Sequence, residues 1–260
     1  MKVTLLGTGT STGIPEIGCQ CDVCRSADAR DRRLRTSVLV ETRGGRILID
    51  CGPDFRQQIL QQPFLPLDAV LLTHEHYDHI GGLDDLRPFC IGQPIDVYGL
   101  ERTLETVRRQ MPYCFEKADK PRVPHIRLHP VEAGEQFYLP VAEGCGQLAV
   151  LPISVMHGEM PILGYRIGRF AFITDMKTMS EESCALLKGV EYLVINGLRH
   201  RPHPTHQTIA DAVEVIRKLG VQNARIIHMA HSAGRHADSE AYLPQNVSFG
   251  YDGEVLNLQD

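Results

Sequence analysis

The segment His74-Glu75-His76-Tyr77-Asp78-His79 places three imidazoles and the Asp78 carboxylate directly behind the apolar run Ala69–Leu72. In extended backbone, side chains at i and i+2 project to the same side, so His74 and His76 point together. Asp78 and His79 form a second carboxylate–imidazole pair beside them, free to face another ion. Neutral imidazole and carboxylate are the usual ligands of Zn²⁺ and related divalent ions. A single loop histidine is ordinarily just solvated. Three with an aspartate, emerging from a buried strand, point to metal. Gly81 and Gly82 then let backbone pack closely behind the site.

Two other stretches carry chemistry. Cys19-x-Cys21-x-x-Cys24 offers three thiolates, which together with one further ligand make a closed tetrahedral zinc site. An iron–sulfur cluster would want a fourth cysteine at similar spacing; the remaining five (Cys51, Cys90, Cys114, Cys145, Cys184) are scattered. The third stretch, Arg199-His200-Arg201-Pro202-His203-Pro204-Thr205-His206, is basic and precedes a helical pattern. Arginine and histidine beside a helix N-terminus suit a phosphate; a solvated prolyl loop is the plain alternative for Arg199, His200, Arg201 and His203.

These residues must be positioned by strands. The chain has 260 residues, 43% hydrophobic and 23% charged, with 27 Lys+Arg against 32 Asp+Glu and a net charge of −5. That composition excludes disorder, and the length fits one domain over residues 1–260. Short β-branched runs bounded by turns read as strands at Val3–Leu6, Ser37–Glu41, Arg46–Ile49, Ala69–Leu72, Ile95–Tyr98, Leu148–Ile153, Gly164–Ile167, Phe170–Ile173, Tyr192–Ile195 and Arg225–Ile227. The second and third form a hairpin around Arg43-Gly44-Gly45. Helical periodicity covers Leu100–Met111, Ser180–Lys188 and, most clearly, Thr208–Leu219, with Ile209, Ala212, Val213, Ile216 and Leu219 on one face. Met111–Pro130, rich in proline, reads as an irregular excursion. The order of elements suggests layered sheets with helices outside.

His74-x-His76-x-Asp78-His79 resembles the signature of the metallo-β-lactamase superfamily. The resemblance implies an α+β fold, the four-layer αβ/βα sandwich, with two divalent ions (Zn or Mn) at one sheet edge. It implies that His74, His76 and His157 hold one ion and Asp78, His79 and His228 the other, with Asp175 and a hydroxide bridging. Asp50 would support the site from behind. Taken singly, Asp50 or Asp175 could instead cap a following helix, and His157 could be an ordinary loop histidine. What unites them is order, since each falls just after a strand. The Gly-rich start Leu6-Gly7-Thr8-Gly9-Thr10-Ser11-Thr12-Gly13-Ile14-Pro15, followed by the cysteine cluster, looks like the PhnP branch. That branch implies a structural zinc on Cys19, Cys21, Cys24 and His231. The spacing of His228 and His231 leaves open which of the two serves the active site. His206 aligns with the histidine placed at the substrate phosphate in that branch, where it would be a general acid.

The expected activity is metal-dependent hydrolysis of a small or cyclic phosphodiester, with Asp78 and His206 catalytic. Thioesterase or lactonase chemistry, a tRNase Z-like nuclease and a PqqB-like accessory role are the alternatives. A net charge of −5 and the lack of a long basic insertion argue against nucleic acid as partner. No apolar run reaches the ~18 residues needed to cross a bilayer. With no signal-peptide core and no disulfide framework, the expectation is a cytoplasmic protein. A homodimer is compatible with the family.

Overall fold

The computed structural model describes residues 1–115, 123–140 and 147–258; Cys145 falls outside them. Along the chain the strands are β1 (Lys2–Gly7), β2 (Ser37–Glu41), β3 (Arg46–Ile49), β4 (Ala69–Leu71), β5 (Ile95–Gly99), β6 (Ile126–Pro130), β7 (Phe137–Pro140), β8 (Gln147–His157), β9 (Met160–Ile167), β10 (Phe170–Ile173), β11 (Tyr192–Asn196), β12 (Asn223–Ile227), β13 (Val247–Phe249) and β14 (Val255–Asn257). They form two seven-stranded sheets, ordered β14-β1-β2-β3-β4-β5-β6 and β13-β12-β11-β10-β9-β8-β7. The helices are α1 (Phe55–Ile59), α2 (Tyr77–Ile80), α3 (Glu101–Gln110), α4 (Glu181–Leu186) and α5 (Ile209–Leu219).

Strand alternation builds the layers. In the β2–β3 hairpin, Val38 pairs with Ile49, Leu39 with Leu48 and Val40 with Ile47. Val38, Val40, Ile47 and Ile49 face the second sheet, meeting Leu163, Tyr165, Phe170 and Phe172 in the central core. Leu39 and Leu48 face the other way, into a core completed by Phe55, Leu104 and Val107 of α1 and α3. On the second sheet the outward Ala171 and Ile173 join Ile209, Ala212 and Ile216 of α5. Each sheet is therefore covered on both faces, which is why its strands read as continuous apolar runs. Truncating a fully buried ring such as Phe172 to alanine costs about 3–5 kcal/mol at such a site. The result is the expected four-layer sandwich. Helix α5 is bounded as its sequence dictates: Thr208 and Asp211 form a reciprocal capping box, and Gly220 ends the helix at φ 66°.

The structure corrects one reading. Within Met111–Pro130, Pro112–Cys114 is a 3₁₀ turn and Ile126–Pro130 is strand β6, parallel to β5; residues 116–122 lie outside the described part. An edge strand buries few side chains, and here only Ile126 is fully buried, so its apolar signal is weak. The short strands β7 and β14 escaped for the same reason, whereas β13 buries Val247 and Phe249 but is only three residues long. Strand β8 runs further than Leu148–Ile153, to His157, which pairs with Met160 across a tight turn at Gly158 (φ 63°).

Candidate metal centre

The site lies where the strands deliver it. Pairs β3–β4 and β10–β11–β12 are parallel, so their C-terminal ends open at common edges, the usual location of sites in such sheets. Asp50 follows β3, His74–His79 follow β4, His157 ends β8, Asp175 follows β10 and His228 follows β12. Among the described residues, the non-glycine residues with positive φ are Asp50 (61°), Asp175 (55°) and His228 (54°). Left-handed backbone at a non-glycine costs on the order of 1 kcal/mol or more and persists where the surroundings over-determine it. Here it turns the chain off each sheet while leaving the side chain at the edge. Asp50 and Asp175 therefore do not act as helix caps: α4 is capped by Ser180 and Asp54 precedes α1. Close backbone approach seals the rear of the site, where a Cβ on Gly82 would fall on the Gly52 carbonyl.

Three groups of potential ligand atoms result: Asp78, His79, Asp175 and His228; His74, His76 and Asp175; and His157, Asp175 and His206. Asp175 is common to all three, as a bridging carboxylate must be. His79 Nε2 lies 3.2 Å from Asp78 Oδ2 and 3.2 Å from Asp175 Oδ1. His228 Nε2 lies 3.1 Å from Asp175 Oδ1 and 3.6 Å from Asp78 Oδ2. The expected trio of His74, His76 and His157 is gathered more loosely, with the His157 ring 5.1 Å from that of His76 and 5.8 Å from that of His74.

The residues fit divalent ions. His79 Nε2 and both ring nitrogens of His228 are buried without a hydrogen-bond partner among the described residues. Donor atoms that converge to 3.1–3.6 Å without bonding one another match the edge of a coordination shell with bonds of about 2.1 Å. Hydrogen bonds from behind fix which nitrogens face inward. His79 Nδ1 donates to Asp50 Oδ2 (2.7 Å), and His157 Nδ1 donates to the Asp175 carbonyl (2.7 Å). His74 Nδ1 meets Thr73 Oγ1 (3.0 Å), whose hydroxyl donates to Asp50 Oδ2 (2.8 Å). Each ring is thereby oriented with Nε2 toward the site, as supporting hydrogen bonds do at metal centres. Burial holds His74 and His76 below the usual imidazole range. Burial alone would raise Asp78 and Asp175, but hydrogen bonds and the charge of neighbouring imidazole rings outweigh it and keep both carboxyls well below their ordinary values. Against its own burial, Asp175, Asp78 and Asp50 push His79 well above the usual imidazole range; a metal bound there would take the place of that proton, since metals require neutral imidazoles and ionised carboxylates.

The basic loop arrives beside this cluster. The His206 ring packs 4.6 Å from that of His157 and 5.1 Å from that of His228. Burial, with surrounding histidines, pushes His206 down to about 3. Its ring is then neutral near pH 7, with one N–H to offer. The His203 ring lies 5.0 Å from it, tilted at 43°, whereas His200 sits apart, against Tyr242. Arg199 is turned into its own loop, donating to the carbonyls of Arg201 and Pro202. Sequence reasoning missed three supporting residues. Thr73 bridges Asp50 and His74; Glu75 reaches back to Arg102 and Thr103 of α3; and Lys177 donates to the His206 carbonyl at 3.2 Å. Thr73 and Lys177 lie outside any recognisable motif, and Glu75 occupies a variable position within the histidine motif.

The cysteine cluster closes on the same edge. Sγ atoms of Cys19, Cys21 and Cys24 lie 3.1, 3.4 and 3.6 Å from His231 Nδ1. His231 therefore belongs with the thiols and His228 with the carboxylates. The N-terminal loop is zipped to that segment by Thr10 N–H to Met229 O (3.0 Å) and Met229 N–H to Thr8 O (3.1 Å). The Cys24 N–H and neighbouring thiols bring Cys21 down to about 6, while burial pushes Cys24 up to about 11. A metal would settle both as thiolates.

A four-layer sandwich with histidine–aspartate groups at its strand ends defines a class that the comparisons match. The β-lactamase superfamily domain covers residues 45–229. A diphosphatase of the PhnP family has the same fold with a TM-score of 0.88 and 37% identity, over 98% of this chain and 96% of its own. The chain belongs to the β-lactamase superfamily and, within it, to the PhnP family. A protein of Porphyromonas gingivalis named octanoyltransferase is 48% identical over 97% of this chain, yet the chain spans only 51% of that relative's length. A coenzyme PQQ synthesis protein B from Methylorubrum populi is 36% identical over 76% of this chain and 73% of its own. Among the described residues, no helix is long and apolar enough to cross a membrane.

Proposed function

We propose that the protein hydrolyses a small phosphodiester at a two-metal centre. Asp78, His79, Asp175 and His228 would hold one ion, and His74, His76, His157 and Asp175 the other. The observation that carries this reading is Asp175, shared by all three histidine–carboxylate donor groups and flanked by the basic loop that ends in His206. Two divalent ions held there supply a nucleophile at neutral pH and neutralise charge on the attacked phosphoryl group. The chain's own contribution is orientation. Asp50 and Thr73 lock the imidazoles, and the His206 N–H is placed to donate to a phosphoryl oxygen. No side-chain nucleophile is required. The likeness to a PhnP-family diphosphatase supports phosphoryl chemistry. The structural zinc is proposed at Cys19, Cys21, Cys24 and His231, and the substrate partner is a small molecule.

A second reading, acyl-thioester hydrolysis, is kept because the 48% identical relative is named octanoyltransferase; half of that relative has no counterpart here. Metal-loaded protein should turn over bis(p-nitrophenyl) phosphate and a 2′,3′-cyclic nucleotide but not a phosphomonoester, a thioester or a lactone. Asp78→Ala should remove that turnover by at least about 10³-fold while the melting transition persists. Turnover of the thioester alone would overturn the substrate class, and full activity in Asp78→Ala would overturn the two-metal centre.

A further inference from the structure

The sheet edge that carries the metal groups also carries a cavity of about 300 Å³, at the lower end of the ~300–1,000 Å³ usual for small-ligand sites. Strands β4, β5 and β6 run parallel. Leu100 after β5 and Val131–Ala133 after β6 therefore leave the sheet at the same end as His74 after β4. The β8–β9 hairpin supplies the facing wall with Pro161 and Leu163. Both walls run into the ligand segments. The Leu163 N–H donates to the Thr73 carbonyl at 3.0 Å, next to His74, and Pro161 adjoins Met160, the cross-strand partner of His157. Arg102 lines the cavity and donates through Nε to Glu75 Oε1 at 3.0 Å; Glu75 stands between His74 and His76 in the chain. The walls are mostly apolar, and two of the charges on them are already matched, Arg102 by Glu75 and Glu101 by Arg108 at 3.1 Å. Glu132, exposed on the lining, has no basic partner among the described residues. Such a cavity takes an uncharged apolar group and turns away an anion, which would meet the Glu132 carboxylate with no free cation to offset it.

We propose that this cavity receives one ester arm of the substrate, and that the arm is a short, uncharged alkyl or aryl group. The proposal rests on the phosphodiester reading and narrows its substrate class to diesters with one apolar arm. The phosphoryl group is taken by the metal groups, and the arm that stays on phosphorus is buried between Leu100 and Ala133 on one side and Pro161 on the other. Burial of each methylene is worth about fourfold in binding, so arm length and arm charge are what the cavity discriminates.

The test compares three p-nitrophenyl alkyl phosphates on the metal-loaded protein, with methyl, butyl and 3-carboxypropyl arms. In each, the water oxygen joins phosphorus and p-nitrophenolate leaves with the bonding pair. The alkyl arm stays on the phosphomonoester, and the water protons pass to products and solvent. The butyl ester should exceed the methyl ester in kcat/KM by at least about tenfold, and the 3-carboxypropyl ester by a similar factor. Ala133→Trp, which fills the cavity from an exposed position, should bring the butyl-to-methyl ratio close to unity. Glu132→Lys should narrow the butyl-to-carboxypropyl ratio severalfold. Each ratio is taken within one protein sample, so a partly unfolded variant does not imitate these results. Equal cleavage of the butyl and methyl esters by the wild type, or a butyl preference that survives Ala133→Trp, would overturn the pocket with the phosphodiester reading intact. A carboxypropyl ester accepted as readily as the butyl ester would overturn the apolar assignment. A wild-type protein that cleaves none of the three would instead overturn that reading and this inference with it.

Discussion

His79 is held from behind by Asp50: its Nδ1 lies 2.7 Å from Asp50 Oδ2 with both side chains fully buried. The pairing decides which face of the ring is available. With its proton committed to Asp50, Nε2 is presented between Asp78 and Asp175. Asp50 also accepts from the Thr73 N–H at 2.8 Å and from its hydroxyl, so one carboxylate orients His79 directly and His74 through Thr73.

Replacing Asp50 with Asn should therefore weaken metal binding without touching a ligand. Loss of such a supporting partner typically lowers metal affinity about 10–100-fold. Competition with a chromophoric chelator measures it. Wild-type affinity in Asp50→Asn would show that His79 needs no such partner.

His206 is read as a neutral N–H donor. A donor to a phosphoryl oxygen helps all substrates alike, whereas a general acid matters most when the leaving group is poor. His206→Ala should lower kcat/KM by about 10–100-fold, to a similar extent for p-nitrophenolate and for an alkoxide leaving group. A much larger loss on the alkoxide would reinstate the general-acid role.

The thiol cluster joins residues 212 positions apart, Cys19 and His231. A closed zinc site adds to folding stability outright. Cys21→Ser should lose one zinc equivalent by mass spectrometry of the native protein, with a melting temperature lower by several degrees. Because His231 is three residues beyond His228, metal affinity at the catalytic groups should fall as well. An unchanged zinc count would remove the structural site.

A buried polar cluster predicts a pH effect away from the metals. His236 Nδ1 lies 3.5 Å from Arg33 NH2, and burial followed by the Arg33 charge pushes His236 from 6.5 down to about 4. The folded protein thus keeps this ring neutral where the unfolded chain takes up a proton. Its contribution is complete above about pH 6.5 and is lost as pH falls toward 4, up to about 3 kcal/mol. Denaturant titrations at pH 7 and pH 5 should show a smaller drop for His236→Gln than for wild type. Equal drops would place the acid sensitivity elsewhere.

Much of this was legible in sequence because it is local. Alternation within Ser37–Glu41 and Arg46–Ile49 depends on a period of two and on two covered faces. His74-x-His76-x-Asp78-His79 and the cysteine triplet declare ligand chemistry within six residues each. The edge strand β6 was not legible, since its few buried side chains make sense only beside β5. Nor could spacing separate His228 from His231. Three residues apart, they are told apart only by the left-handed turn at His228, which sends one toward Asp175 and leaves the other to Cys19, Cys21 and Cys24. Lys177 has no motif at all; it matters because β10 and β11 pair in parallel and lay its ammonium under the loop of His206. Residue types and short spacings are properties of the chain. Which distant side chains share a few ångströms is set by how the two sheets pack, and only the folded molecule decides that.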